Sequence, residues 1–135
     1  MCLQLLIVDD NKDSADMLSI LLRGAGYAND TANSGEEALA MAHKRNYDFA
    51  ILDYRMPRMN GVELLEKLHE TQPKMNAVLL TGFPSINIVY PAIREGALRV
   101  FQKPMPFEEL LPVLQTRAFH HDLGELDDGE FGGEG

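Results

Sequence analysis

Three acidic residues, one threonine and one lysine have the side chains and positions that phosphate chemistry needs. Each comes at or just after the end of a short apolar run, and the five are Asp9, Asp10, Asp53, Thr81 and Lys103. Three crowded carboxylates raise one another's pKa unless a cation neutralises them. Mg²⁺ is a hard cation that binds one or two carboxylates together with a phosphate group. The set therefore predicts a phosphate site with a carboxylate nucleophile, in which Lys103 and Thr81 contact phosphoryl oxygens.

Short apolar strands alternate with amphipathic helices along most of the chain. The pattern predicts strands at residues 3–8, 27–32, 49–52, 77–80 and 98–101, and helices at 14–22, after Ser34, at 62–69, between 84 and 95, and at 106–119. This alternation predicts a doubly wound α/β fold with a parallel sheet covered on both faces. Ligands of such sheets bind beyond the carboxyl ends of the strands. We therefore expect the five polar residues to meet at one edge of the sheet.

The acidic charge is concentrated at the end of the chain. Six of the 21 acidic residues and none of the 12 Lys and Arg residues lie in residues 120–135, which also hold five glycines. We therefore expect one domain over residues 1–119 and a flexible tail over 120–135. The domain has a net charge of only -3 and no basic stripe. Direct nucleic-acid binding is therefore not expected.

Cysteine content and hydropathy predict a cytoplasmic protein. The single cysteine, Cys2, excludes an internal disulfide framework. No apolar run approaches the roughly 18 residues that a membrane span needs, and the first residues lack the pattern of a signal peptide. We expect no association with a membrane.

Four motifs carry a family resemblance. They are LLIVDDN at residues 5–11, ILDYRMPRMNG at 51–61, LLTG at 79–82 and FQKPM at 101–105. In this order and spacing the chain resembles the receiver domain of two-component response regulators, from about residue 3 to about residue 119. The resemblance implies a flavodoxin-like (βα)5 fold with strand order 2-1-3-4-5. It also implies a phosphoacceptor switch with self-catalysed phosphotransfer and autodephosphorylation, not a turnover enzyme.

The resemblance assigns roles to the acidic residues. Asp53 is the position that accepts a phosphoryl group from the phosphohistidine of a sensor histidine kinase or phosphotransfer protein. Asp9 and Asp10 are positions that bind Mg²⁺ together with Asp53, and the backbone carbonyl of Arg55 is a further ligand. The downstream partner is not named by the sequence, and a homodimer is one possible form of the output.

The remaining roles concern Thr81, Phe101 and Lys103. The resemblance assigns Thr81 and Phe101 to a switch pair that moves together, although Phe101 is equally compatible with an ordinary core residue. Lys103 matches the catalytic lysine of the family, and the Lys103–Pro104 peptide bond is expected to be cis.

Other functions remain open beside this one. A phosphohydrolase of the haloacid-dehalogenase kind needs a second aspartate two residues after the nucleophile, and Arg55 holds that position. A degenerate receiver that works only as a phosphate-independent interaction module would lack one of the five polar residues, and all are present. The chain is also compatible with the receiver fragment of a larger regulator.

Two further expectations concern backbone geometry. Pro91 falls in the middle of the fourth predicted helix, where it removes a hydrogen bond and costs about 3 kcal/mol. We therefore expect this helix to be kinked, shortened, or to begin only near Pro91. Gly61 is expected to relieve a positive φ.

Overall fold

The computed structural model describes residues 3–105 and 107–123. One compact unit spans Leu3–Pro104, and the segment from Met105 belongs to a second unit. The first unit contains β1 (Gln4–Val8), α1 (Lys12–Gly24), β2 (Ala28–Ala32), α2 (Gly35–Lys44), β3 (Phe49–Asp53), α3 (Gly61–Thr71), β4 (Asn76–Thr81), α4 (Ile86–Arg94) and β5 (Arg99–Gln102). The described part of the second unit contains α5 (Phe107–Leu123).

The five strands form one parallel sheet in the order β2-β1-β3-β4-β5. The predicted α/β fold and its strand order are therefore confirmed. The strand order reverses at β1, which has β2 on one side and β3 on the other. Reversal points of this kind form the ligand crevice of doubly wound sheets. The ends of β1 and β3 are thus placed side by side.

Helices cover both faces of the sheet. On one face α2, α3 and α4 pack on alternate strand residues, and this core includes Leu6, Val8, Ala50, Leu52, Ala38, Leu64, Leu68, Leu79 and Ala92. The opposite face carries α1, whose buried Ser19 hydrogen-bonds the side chain of Asn29 in β2. Asn29 is in register with Leu5, the neighbour of Leu6, so the two contacts lie on different faces. Strands buried on both sides explain the nearly continuous apolar runs of the sequence.

Local side-chain caps fix where the helices begin. Asn11 accepts a hydrogen bond from the Ser14 amide at the start of α1, and Ser34 accepts one from the Glu37 amide at the start of α2. A full capping box opens α3 at Asn60. Each cap satisfies an amide that has no partner within the helix. The positions of these helices are thus encoded by short polar motifs.

Of the three effects expected of Pro91, a kink, a shortening or a start only near Pro91, the late start is wrong. The helix runs from Ile86 to Arg94 with Pro91 inside it. The turns on both sides are closed, since the Val89 amide donates to the carbonyl of Ser85 and the Glu95 amide donates to that of Pro91. One missing amide is therefore tolerated, because the neighbouring hydrogen bonds remain in place.

The last helix runs to Leu123, four residues beyond the predicted domain boundary. Residues 124–135, and with them most of the predicted flexible tail, lie outside the described residues. Within residues 3–105 and 107–123, no helix combines the length and hydropathy that a membrane crossing requires.

Candidate functional site

The carboxyl ends of β1 and β3 bring three acidic residues together. Asp9 and Asp10 follow β1, and Asp53 is the last residue of β3. Asp9 and Asp53 are buried and Asp10 is exposed, yet one ligand atom of each lies within 4.8 Å of the others. An all-oxygen set with carboxylates this close fits a hard divalent cation such as Mg²⁺. The predicted metal ligands are therefore neighbours in the structure.

Lys103 supplies positive charge to the same cluster. Its Nζ lies 2.8 Å from Oδ1 of Asp53 and 3.6 Å from Oδ2 of Asp9. The backbone amide of Lys103 donates to the carbonyl of Thr81 at 2.8 Å, and the Lys103–Pro104 bond is cis, as the resemblance implied. The end of β4 and the segment after β5 thus hold the ammonium group over the nucleophile candidate.

Burial and charge shift the pKa values of this ion pair. Burial raises the pKa of Asp53 to about 6, since the hydrogen bond from Lys103 opposes burial only in part and the charge of Asp9 adds to the increase. Burial lowers the pKa of Lys103, but its contacts with Asp53 and Asp9 outweigh burial and raise that pKa above its ordinary value. Lys103 is therefore positively charged at neutral pH, and Asp53 is protonated more easily than an ordinary aspartate.

An open pocket leads from solvent to the acidic cluster. Its volume is about 520 Å³, and it is lined by Asp10, Asp53, Arg55, Met56, Pro57, Gly82 and Lys103. Arg55, whose carbonyl the resemblance assigns to the metal, thus lies on the pocket wall. Thr81 is buried immediately before Gly82, and its Oγ1 accepts a hydrogen bond from the Phe83 amide at 3.3 Å. Asp53 therefore borders a pocket that is open to solvent.

Gly61 lets α3 begin directly against the end of β3. A Cβ atom at this position would lie 2.7 Å from the carbonyl oxygen of Asp53 and 3.0 Å from Cα of Tyr54. The amide of Gly61 donates to the carbonyl of Tyr54 at 2.8 Å. Positive φ occurs at Gly26, at Gly96 and at Arg58, but not at Gly61. The expectation for Gly61 is therefore corrected, because close backbone approach and not φ requires glycine here.

Asp9, the first of the two acidic residues after β1, accepts hydrogen bonds from Asn11 and Asn33. The backbone amide of Asn11 donates to Oδ1 of Asp9 at 2.9 Å. The side-chain Nδ2 of Asn33 donates to the backbone carbonyl of Asp9 at 2.9 Å. A contact of Asn33 with Asp9 is not among the predictions made from the sequence. Its partner lies 24 residues earlier in the chain, and a lone polar residue in a loop gives no signal of such a contact.

The structure does not bring Phe101 to Thr81. Side chains alternate along β4, so Thr81 lies on the same face as Leu79, the face covered by α4. Thr81 is in register with Gln102, and the adjacent Phe101 therefore lies on the opposite face. There the ring is buried, with the Arg99 guanidinium 4.7 Å from its centroid. This is the position of a core residue, and a role for Phe101 in switching stays a prediction of the resemblance.

Comparisons with known proteins agree with this geometry. The family model described as response regulator receiver domain matches residues 5–115. Transcriptional regulatory protein ZraR of Klebsiella oxytoca is 32% identical over 121 residues, which are 90% of this chain and 27% of that protein. A response regulator receiver protein of Anaeromyxobacter sp. strain Fw109-5 is 39% identical over 108 residues, which are 80% of this chain and 45% of that protein. The chain thus spans about a quarter to a half of the length of these relatives.

Two solved structures show the same similarity over nearly their whole length. Chemotaxis protein CheY4 of Vibrio cholerae has a TM-score of 0.79 and 33% identity, and the match covers 86% of this chain and 98% of that one. A CheY-like receiver domain protein of Methanospirillum hungatei has a TM-score of 0.84 and 29% identity, with 92% and 100% covered.

Proposed function

Because this chain belongs to the response regulator receiver domain family, we propose that it accepts a phosphoryl group on Asp53 and thereby switches a partner-binding surface. The donor is the phosphohistidine of a sensor histidine kinase or of a phosphotransfer protein. The observation that carries the proposal is the Asp53 carboxylate, which borders an open pocket beside Lys103 and two further acidic residues. The protein is a phosphoacceptor switch in this proposal, not a turnover enzyme.

The transfer itself needs little from the protein beyond positioning and charge. A carboxylate oxygen of Asp53 attacks phosphorus, the phosphorus–nitrogen bond of the donor breaks, and its electron pair leaves with the imidazole nitrogen. Lys103 exchanges its contact with the carboxylate for one with a phosphoryl oxygen. The Thr81 hydroxyl turns to donate a hydrogen bond to another phosphoryl oxygen. Hydrolysis of the acyl phosphate by water then restores Asp53.

Mg²⁺ is the proposed cofactor, and the carboxylate cluster supports this choice. Asp9, Asp10 and Asp53 would hold the ion together with the backbone carbonyl of Arg55. When bound, the ion supplies charge neutralisation for the transferred group. Without it, Lys103 alone faces the two buried carboxylates of Asp9 and Asp53.

The output is proposed to be a shift between two states of the surface near α4 and β5. Thr81 ends β4, and α4 begins five residues later at Ile86, so movement of the hydroxyl would be transmitted directly to the start of this helix. Such a shift changes the populations of states that already exist. We propose that the recipient is a downstream protein or a further domain, reached in the cytoplasm, with a homodimer as one form of that output.

Phosphorylation by a small donor tests the proposal. Wild type, Asp53→Asn and Asp16→Asn are incubated with acetyl phosphate, with either Mg²⁺ or EDTA, and read by intact mass. Asp16 is the matched control, since it is an acid on α1 that pairs only with Lys12 among the described residues. We expect a Mg²⁺-dependent adduct in wild type and Asp16→Asn and none in Asp53→Asn. No adduct in wild type would contradict the proposal and favour the phosphate-independent interaction module.

A further inference from the structure

The carboxylate of Asp10 has no hydrogen-bond or ion-pair partner among the described side chains and amides. Asp10 is exposed, and within residues 3–105 and 107–116 its side chain makes no hydrogen bond and no ion pair. It nevertheless lies within 4.8 Å of ligand atoms of both buried acids. The point from which this side chain starts therefore depends on how the peptide between Asp9 and Asp10 is held.

That peptide is fixed by residues at the end of β2. The Asp9 amide donates to the carbonyl of Ala32 at 3.1 Å, as a continuing parallel ladder requires. If the ladder continued, the Asp9 carbonyl would accept a hydrogen bond from a backbone amide. Instead, Nδ2 of the Asn33 side chain donates to this carbonyl at 2.9 Å. The side-chain amide of Asn33 thus replaces a backbone donor at the point where the chain leaves β2 and enters α2. The amide and the carbonyl of Asp9 are therefore both hydrogen-bonded to the adjacent residues Ala32 and Asn33.

Asn33 is itself anchored to α2. Its backbone amide donates to Oε1 of Glu37 at 2.7 Å, and the Glu37 amide is capped by Ser34 at 3.0 Å. Ser34 holds the first turn of the helix, whereas Asn33 alone reaches across to the Asp9 carbonyl. Asn33 and Ser34 therefore make different hydrogen bonds, so that a Ser34 variant is a matched control for an Asn33 variant.

We propose that Asn33 is a positioning residue for Mg²⁺ binding. By holding the Asp9 carbonyl it fixes the plane of the Asp9–Asp10 peptide, and so keeps the Asp10 carboxylate beside those of Asp9 and Asp53. The inference rests on the proposed function, in which these carboxylates bind the ion. Groups that orient metal ligands from behind contribute strongly to affinity, typically about 10-fold to 100-fold.

Mg²⁺ titration of the full chain tests this role. Wild type, Asn33→Ala and Asn33→Leu are titrated with Mg²⁺ and followed by the amide NMR shifts of Asp10 and Asn11. Asn33→Leu keeps the side-chain bulk but cannot donate a hydrogen bond, so it remains informative where the alanine variant folds poorly. We expect the Kd for Mg²⁺ to rise about 10-fold in both variants.

Ser34→Ala separates positioning from simple loosening of the loop. It removes the cap of α2 and leaves the contact between Asn33 and Asp9 in place, so we expect lower thermal stability with an unchanged Kd. An equal loss of affinity in Ser34→Ala, or unchanged affinity in both Asn33 variants, would overturn the inference. Absence of Mg²⁺ binding in wild type would instead contradict the proposed cofactor, so the two failures are distinguishable.

Discussion

At the scale of single residues, the carboxylates of Asp9 and Asp53 repel each other and are partly neutralised by Lys103. Asp53 is almost fully buried, and the nearby carboxylate of Asp9 opposes its ionisation. Lys103 at 2.8 Å offsets only part of this cost. A buried acid with an incompletely compensated charge is reactive toward cations and electrophiles. In the proposed function, this carboxylate is the nucleophile, and the pocket that it borders is the path of the phosphoryl donor.

The raised pKa of Asp53 predicts a pH-dependent stability of the Mg²⁺-free protein. A carboxyl whose pKa rises from 3.8 to about 6 on folding binds a proton more tightly in the folded state. Its contribution is complete below pH 4 and is lost as the pH rises through 6. In EDTA, the unfolding free energy of wild type relative to Asp53→Asn should fall between pH 4 and 7 by on the order of 2 kcal/mol. Urea unfolding at several pH values measures this difference.

A difference between the two proteins that stays constant from pH 4 to 7 would contradict the assigned environment of Asp53. Asp16→Asn serves as control, because the Asp16 carboxylate pairs with Lys12 and is not part of the acidic cluster.

At the scale of elements, the site depends on how closely helices approach the strand ends. The first turn of α3 lies against the backbone of Asp53 and Tyr54, and only Gly61 leaves room for this contact. On the other side of the site, α4 begins shortly after Thr81 and continues through Pro91. These two helices therefore begin close to the strand ends at which the site lies.

Gly61→Ala should destabilise the protein by about 1–3 kcal/mol, the usual cost of overpacking. Its Cβ would lie 2.7 Å from the Asp53 carbonyl, and backbone atoms cannot yield as a flexible side chain does. Gly24→Ala is the control, since its Cβ would meet nothing within 4 Å. Urea denaturation should show a loss for Gly61→Ala only. Equal stability of the two variants would show that α3 can move away from β3 at little cost.

Pro91→Ala should stabilise the protein by about 2 kcal/mol. Alanine restores the amide that Pro91 lacks within α4, although it also gives the unfolded chain more freedom. Pro84→Ala is the matched control, because Pro84 lies before the cap of the helix and blocks no helical hydrogen bond. A shift of the thermal midpoint in Pro84→Ala as large as that in Pro91→Ala would contradict this explanation.

For the molecule as a whole, the proposed Mg²⁺ binding would be coupled to folding. The three carboxylates come from two segments more than 40 residues apart in the sequence and meet only in the folded sheet. A ligand that binds only the folded state stabilises it by mass action. Mg²⁺ at a concentration 100 times its Kd should therefore stabilise the protein by about 2.7 kcal/mol.

Thermal unfolding with and without Mg²⁺ measures this coupling. We expect the midpoint to rise in wild type and in Asp16→Asn, and to respond weakly in Asp10→Asn, which lacks the exposed carboxylate of the cluster. A rise of equal size in Asp10→Asn would assign the stabilisation to general ionic strength instead of the site.

The sequence alone determined the order of elements, the start of α2 after Ser34 and the identity of the acidic residues. Hydrophobic periodicity and capping motifs are local, and the motifs quoted above carried the polar residues at or just after the ends of β1, β3, β4 and β5. Local patterns therefore sufficed for the α/β fold and for the cluster of Asp9, Asp10, Asp53 and Lys103.

Only the tertiary structure decided the contacts between distant segments. Asn33 reaches Asp9 across the end of the sheet, Gly61 is required by the backbone of β3, and strand register puts Phe101 on the face opposite Thr81. Each depends on the relative position of two elements, which side-chain type and spacing do not specify. A shift of one residue along a strand reverses the face of a side chain, and for this reason the neighbours of Thr81 had to be read from the folded chain.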